Sequence, residues 1–161
     1  SIRKFKRKAL SRKLLAKLQE ACLRAPSSRD RKPCKFFFIT GQETLRKLSA
    51  AKPHGATFLK NAPLGILVCG DETRSDVWVE DCAIAGILIQ MTALSLGLGS
   101  CWIQLRLRRH DPRTSSEKYV QNLLNLPPRM RVECIIAIGH PAEKKKAIPL
   151  SAILKRRIIN K

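Results

Sequence analysis

Acidic residues are scarce in this 161-residue sequence: 12 Asp and Glu stand against 32 Lys and Arg, a formal charge of +20. Such an excess attracts nucleic acid, anionic lipid or phosphorylated ligands and does not by itself choose among them. Aromatics make up only 5% of the chain, too few for an evident base-stacking platform, and the basic residues run from Lys4 to Lys161 instead of gathering on one element. No apolar run reaches the roughly 18 to 20 uninterrupted residues of a bilayer span. The opening Ser1-Ile2-Arg3-Lys4-Phe5-Lys6-Arg7-Lys8 also lacks the apolar segment of a signal peptide. A soluble, cytoplasmic protein without a membrane partner is therefore expected. The six cysteines are never two or three residues apart, and no His stands at ligand spacing from them, so neither a zinc site nor a disulfide framework is expected. Paired carboxylates and a Ser-His-Asp set are missing too. His54, His110 and His140 stand isolated, and no side chain is marked as a nucleophile.

What is present reads as one domain over residues 1–161, with an apolar content of 44% to form its core. Ser11 can cap a helix whose Leu14, Leu15, Leu18, Cys22 and Ala25 recur at three- and four-residue spacing, and Pro26-Ser27-Ser28 stops it. Lys35 to Thr40 carries Phe36, Phe37, Phe38 and Ile39 in a continuous apolar run, the pattern of a strand covered on both faces. Glu43 to Ala51 suits a short helix, and Leu64 to Cys69 a second buried strand. Val77 to Leu96 is apolar on nearly every face, which predicts a central helix ended by Gly97. A strand over Ser100 to Leu105, a helix over Ser116 to Leu124 and a strand over Val132 to Ile138 follow. Beyond Gly139-His140-Pro141 lies an extended basic tail, 141–161, with Ile148, Leu150, Ile153, Leu154, Ile158 and Ile159 but no regular period. Helices alternating with buried strands give an α+β class, a mixed central sheet flanked by helices.

Three places offer what a phosphate needs: Ser1, Arg3 and Lys4; Pro26-Ser27-Ser28-Arg29 at a helix end; and Gly139 to Lys146 after a strand. Each alone has a plainer reading, as a turn or a solvated charge run. Their order and context resemble the FMN-dependent nitroreductase family over nearly the whole chain. The resemblance rests on Ser1-Ile2-Arg3-Lys4-Phe5; on Ala25-Pro26-Ser27-Ser28 followed by Lys32-Pro33-Cys34-Lys35-Phe36; on Asn61-Ala62-Pro63-Leu64; on Trp78-Val79-Glu80-Asp81-Cys82-Ala83; on Leu94 through Ile103; and on Ile136 through Lys145.

That resemblance implies a nitroreductase-like fold and an intertwined homodimer with two FMN sites in the subunit interface, the apolar tail wrapping the other subunit. It implies that Ser1, Arg3 and one or two of Lys144, Lys145 and Lys146 hold the flavin phosphate, beside Gly139. Pro26, Ser27, Ser28, Asp30 and Lys32 match positions at the ribityl chain and the polar ring edge, and Trp102-Ile103-Gln104 matches a strand end whose backbone nears the flavin. The implied activity is hydride transfer from NADH or NADPH, through flavin N5, to a nitroaromatic, quinone or similar electron-poor acceptor.

The match departs in two ways. The family's first segment usually carries two further basic residues before the Ser, and its loop usually reads Asn, then Gln-Pro-Trp, where this chain has Asp30 and Lys32-Pro33-Cys34. Asp30 would repel an anionic reduced flavin, and Lys32 would offset it. The alternative expectation is a binding protein on the same fold that uses its charge to hold nucleic acid or another polyanion, with little or no flavin.

Overall fold

A computed structural model describes residues 1–149 together with Ala152 and Ile159. Four strands, β1 (Cys34–Ile39), β2 (Leu64–Asp71), β3 (Gly99–Gln104) and β4 (Met130–Gly139), form one sheet in the order β1-β2-β4-β3. Among the described residues every pairing is antiparallel, where a mixed sheet was expected. Four helices cover the two faces: α1 (Arg12–Leu23), α2 (Gln42–Leu48), α3 (Trp78–Ser95) and α4 (Ser116–Leu123). The α+β class is as expected.

Period-two alternation along the central strands splits the core in two. Leu67 and Cys69 of β2 with Ile135 and Ala137 of β4 pack beneath Leu45 and Leu48 of α2 and Val120 of α4. Their alternate neighbours, Ile66, Val68, Cys134, Ile136 and Ile138, pack against Leu18 and Cys22 of α1 and Cys82 and Ile89 of α3. β2 and β4 are buried on both faces, which is why Leu64 to Cys69 and Cys134 to Ile138 are apolar on both. β1 was expected to be covered likewise, but it lies at the sheet edge and Phe36, Phe37 and Phe38 are only half-buried.

Helix ends follow local chemistry. Ser11 Oγ accepts from Leu14 N at 3.3 Å, and Ser115 Oγ accepts from Lys118 N at 3.0 Å. Gly97, with φ of +71°, closes α3: its N–H reaches Leu94 O, and Leu98 N reaches Ala93 O at 2.8 Å, satisfying carbonyls the helix leaves open.

α3 was expected to be central, with a second copy completing its burial; within one protomer one side of it is open. Trp78, Cys82, Ala85, Gly86, Ile89 and Ala93 face the sheet and α1, whereas Ile84, Ile87, Leu88, Met91 and Leu94 form an exposed stripe at helical spacing. By length and composition α3 could cross a membrane, but its buried side makes it a core helix here. The expectation for the tail falls largely on residues outside those described; Ile148 and Ile159 are exposed.

Gly86 lets α3 close on β3, because a Cβ there would overlap the Trp102 ring. Gly86→Ala is therefore expected to lower stability by roughly 1–3 kcal/mol, outweighing the gain of about 1 kcal/mol in helix propensity. Urea unfolding checks this, and an unchanged or raised midpoint would contradict the packing described.

Candidate functional site

The N-terminal segment lies across the end of the sheet. Ile2 N donates to Ser100 O at 2.9 Å, Lys6 N to His140 O at 2.8 Å, and Ala142 N to Lys4 O at 2.9 Å. Phe5 sits opposite Pro141, so an antiparallel register sets Arg3 against Glu143 and Ser1 against Lys145. Glu143 Oε1 accepts from Arg3 N at 2.6 Å and Lys4 N at 3.2 Å; these two amides, with Lys145 and Lys4 near, hold its carboxyl below the usual range. The backbone of Gly139 leaves no room for a Cβ, which would lie 2.6 Å from Pro63 and 3.0 Å from Phe5. Arg3 and the Gly139–Glu143 segment thus meet at one end of β4, with Ser1 and Lys144 to Lys146 continuing from them along the chain; the exposed Lys144 and Lys146 form no ion pair among the described residues.

The second group, Pro26 to Lys32, lies at the other end. Pro33 O accepts from Asp71 N, and Cys34 pairs with Gly70, so this loop abuts the end of β2 that faces Met130 of β4. Its backbone is tightly coiled, with Arg29, Asp30 and Lys32 at positive φ. Ser27 Oγ accepts from Lys32 N at 2.8 Å. Asp81, buried in the first turn of α3, accepts from Ser28 N at 2.8 Å and from Ser75 Oγ at 3.2 Å. Lys32 Nζ lies 3.0 Å from Asp30 Oδ2, so the carboxylate that departs from the family pattern carries its own counter-charge. Cys34, where the pattern has Trp, contacts Cys82 with the sulfurs 3.6 Å apart; that hydrogen bond lowers the Cys34 thiol and raises Cys82. All six cysteines are free, as expected.

The ten residues of β4 separate the two groups by about 30 Å at the usual strand rise. One protomer therefore does not bring all the expected site residues together.

Trp102 and Gln104 lie between, on the α1/α3 side of β3, while Ile103 points into the opposite core. Trp102 Nε1 donates to Gln104 Oε1 at 2.7 Å, and Gln104 Nε2 donates to Glu133 Oε1 at 3.1 Å. Glu133 was not singled out from the sequence, although one carboxylate inside the run Val132–Ile138 was a visible anomaly. It is the extra residue of a bulge in the β2–β4 pairing, which shifts between Val68 and Cys69. Its Oε2 has no hydrogen-bond partner among the described residues, and Arg106 Nε stands 4.0 Å away. Burial raises its carboxyl, against Gln104 and Arg106, which lower it. Asp81 was missed in the same way, as a carboxylate at the start of an apolar helix.

Among the described residues two further clefts occur, the first adjoining the N-terminal segment. One of about 820 Å³ is lined by Lys6, Arg7, Lys8, Leu15, Arg46 and Lys60 among others. A second of about 670 Å³ lies between the segment after β3 and α4. No cluster of His, Cys, Asp and Glu suited to a metal ion occurs among the described residues.

The family profile described as Nitroreductase family matches residues 1–54 and 48–140. A putative NADH dehydrogenase/NAD(P)H nitroreductase of Methanothermobacter thermautotrophicus is 32% identical over 146 residues, 89% of this chain and 73% of that protein. The solved FMN-dependent nitroreductase of Clostridium difficile superposes with a TM-score of 0.97 at 41% identity, covering 99% of this chain and 93% of that one. A putative nitroreductase of Desulfovibrio desulfuricans, solved in complex with FMN, gives 0.75 at 26% identity over 96% and 90% of the two chains. This chain belongs to the nitroreductase family.

Glu133 gives a pH test. With its folded value above the ordinary 4.5, the folded chain binds more protons than the unfolded one in the window between, so stability falls as pH rises through that window. Glu133→Gln removes this term and keeps an acceptor for Gln104. The variant is expected to gain stability relative to the parent on going from pH 4.5 to 8, measured as urea midpoints. A difference independent of pH would contradict the assignment.

Proposed function

We propose that this chain is an FMN-dependent oxidoreductase that works as a homodimer, taking reducing equivalents from NADH or NADPH to a nitroaromatic, quinone or similar electron-poor acceptor. The observation that carries the reading is the arrangement of three features along one axis. The Ser1–Lys146 group sits at one end of the sheet, the Pro26–Lys32 group at the other, and the exposed apolar stripe of α3 runs between them. Asp81, which anchors the loop, is in the first turn of α3, and Ser100, which anchors the N-terminal segment, follows its last turn. Two copies paired across this stripe by a two-fold axis, with their α3 helices antiparallel, bring each group against the opposite group of the other copy. Both half-sites are then completed twice.

The residues present fit FMN. Ser1, Arg3, Lys144 and Lys146 supply a hydroxyl and cations for a phosphate dianion, and Glu143, which would oppose it, is occupied by the Arg3 and Lys4 amides. On the other half-site Ser27, Ser28 and Asp30 offer hydroxyls and an acceptor to the ribityl chain and ring edge, with Lys32 balancing Asp30. FMN, held by these residues, would supply the hydride-transfer chemistry. The protein's share is to orient. Asp81 fixes the loop by its backbone, and the Glu133–Gln104–Trp102 chain of hydrogen bonds fixes the strand end beside which the ring is expected. A side-chain nucleophile is not required.

The purified chain is expected to be yellow, with one FMN per protomer, and to be reduced anaerobically by a nicotinamide. Arg3→Glu should weaken FMN binding by roughly ten- to a hundred-fold, the worth of a charge-assisted contact, while leaving the dimer intact. Met91→Glu, in the middle of the α3 stripe, should yield monomer and lose FMN with it. A monomeric Met91→Glu protein that keeps its flavin would overturn the two-protomer site, and a colourless parent that binds no added FMN would overturn the function.

A further inference from the structure

Beyond Gln104 the chain makes a compact hairpin that neither half-site uses. Leu105 N and Arg106 N both donate to Glu133 O, at 3.2 and 3.0 Å, and Leu107 then takes φ of +57° with its side chain exposed. The hairpin closes through the Arg109–Ser115 bridge and through Ser116 N donating to Arg108 O. Asp111, its one carboxylate, accepts from Arg113 N at 2.8 Å and Thr114 N at 2.7 Å. The His110 ring stacks on Tyr119 of α4 at 4.0 Å between centroids, with Nδ1 2.8 Å from Ala50 O. This loop is therefore fixed to α4 and to the end of α2.

What it presents is charge of one sign. Arg108, Arg109, Arg113 and Lys118 line the 670 Å³ cleft, and no carboxylate lines it. Arg109 Nη1 is tied to Pro112 O at 2.8 Å, but Arg108, Arg113 and Lys118 have no ion-pair partner among the described residues. Burial, and after it the proximity of Arg108, push the nearby Lys52 ammonium down, as expected where positive charge is not neutralised. Four cations on a rigid frame suit a compact dianion, and a phosphate monoester has that charge and size.

We propose that this cleft receives the 2′-phosphate of NADPH and makes the chain prefer NADPH to NADH. The proposal rests on the function proposed above. Arg108 is four residues beyond Gln104, so it lies at most about 14 Å away along the chain, within the reach of a dinucleotide whose nicotinamide lies at the Gln104 strand end. Nucleic acid is the weaker candidate for this cleft. His110 and Tyr119 stack on each other, so each has one ring face already taken.

The test uses the purified holoprotein and the double variant Arg108→Gln/Arg113→Gln, in which the backbone bonds that close the hairpin are retained. By calorimetry, adenosine 2′,5′-bisphosphate should bind the parent at least ten-fold more tightly than adenosine 5′-monophosphate, and the variant should lose that difference. In steady state the variant's KM for NADPH should rise at least ten-fold, with KM for NADH and FMN content unchanged. Equal effects on both coenzymes, or none, would overturn the proposal. So would steeply salt-dependent oligonucleotide binding that the variant alone loses, which would assign the cleft to nucleic acid. Lys118→Gln gives a second, smaller rise if the double variant does not fold. A parent without flavin would sink the proposed function, while the nucleotide titration would still report on the cleft.

Discussion

The length of one buried strand governs the rest of this molecule. β4 is hydrogen-bonded on both sides and buried at almost every position, so its ten residues act as a rigid spacer. Whatever is fastened at Met130 and whatever is fastened at Gly139 stay apart by a distance no side chain can bridge. The N-terminal segment is held at one end by three backbone hydrogen bonds, and the Pro26–Lys32 loop at the other by Pro33, Cys34 and the Asp81 carboxylate. Both attachments are made by the chain's own hydrogen bonds, so folding itself would order the two candidate groups. The cost of ordering a ligand contact is then already met by folding.

Most of the framework was legible because it rests on short-range rules. Ser11 and Ser115 cap where the periodic residues begin, Gly97 ends α3, and the apolar runs of β2 and β4 became doubly covered strands. Two readings, the double cover of β1 and the mixed sheet, went differently, and α3 is open on one side within a single protomer. A run such as Phe36–Ile39 shows that a segment is apolar, not whether its neighbour lies in the same chain; β1 turned out to be an edge, and α3 keeps an open stripe. The mixed sheet was likewise inferred from alternating elements, and alternation does not fix strand direction: β2 and β3 do run the same way, but β4 lies between them and pairs antiparallel with both.

The candidate site was legible only as far as its residue types. Arg3, Ser28 and the lysines after Gly139 stood out as equipment for an anion, but the segments Ser1–Lys4 and Gly139–Lys146 come together through the Phe5–Pro141 pairing, 136 positions apart, which no local pattern shows. Glu133 and Asp81 went unremarked because each is one charge in an apolar stretch, the mark of a buried group doing positional work. Their roles appear only once Gln104 and Ser28 are seen to donate to them.

The open stripe of α3 has a further effect on how two such chains would meet. Each copy carries a formal +20, so pairing brings like charge together, and only the apolar contact favours it. Added salt would screen that repulsion and tighten the assembly, while the same salt loosens the grip of every cationic pocket on its anion. In the proposed dimer, ionic strength would therefore act in opposite directions on the pairing of the chains and on their hold of an anion.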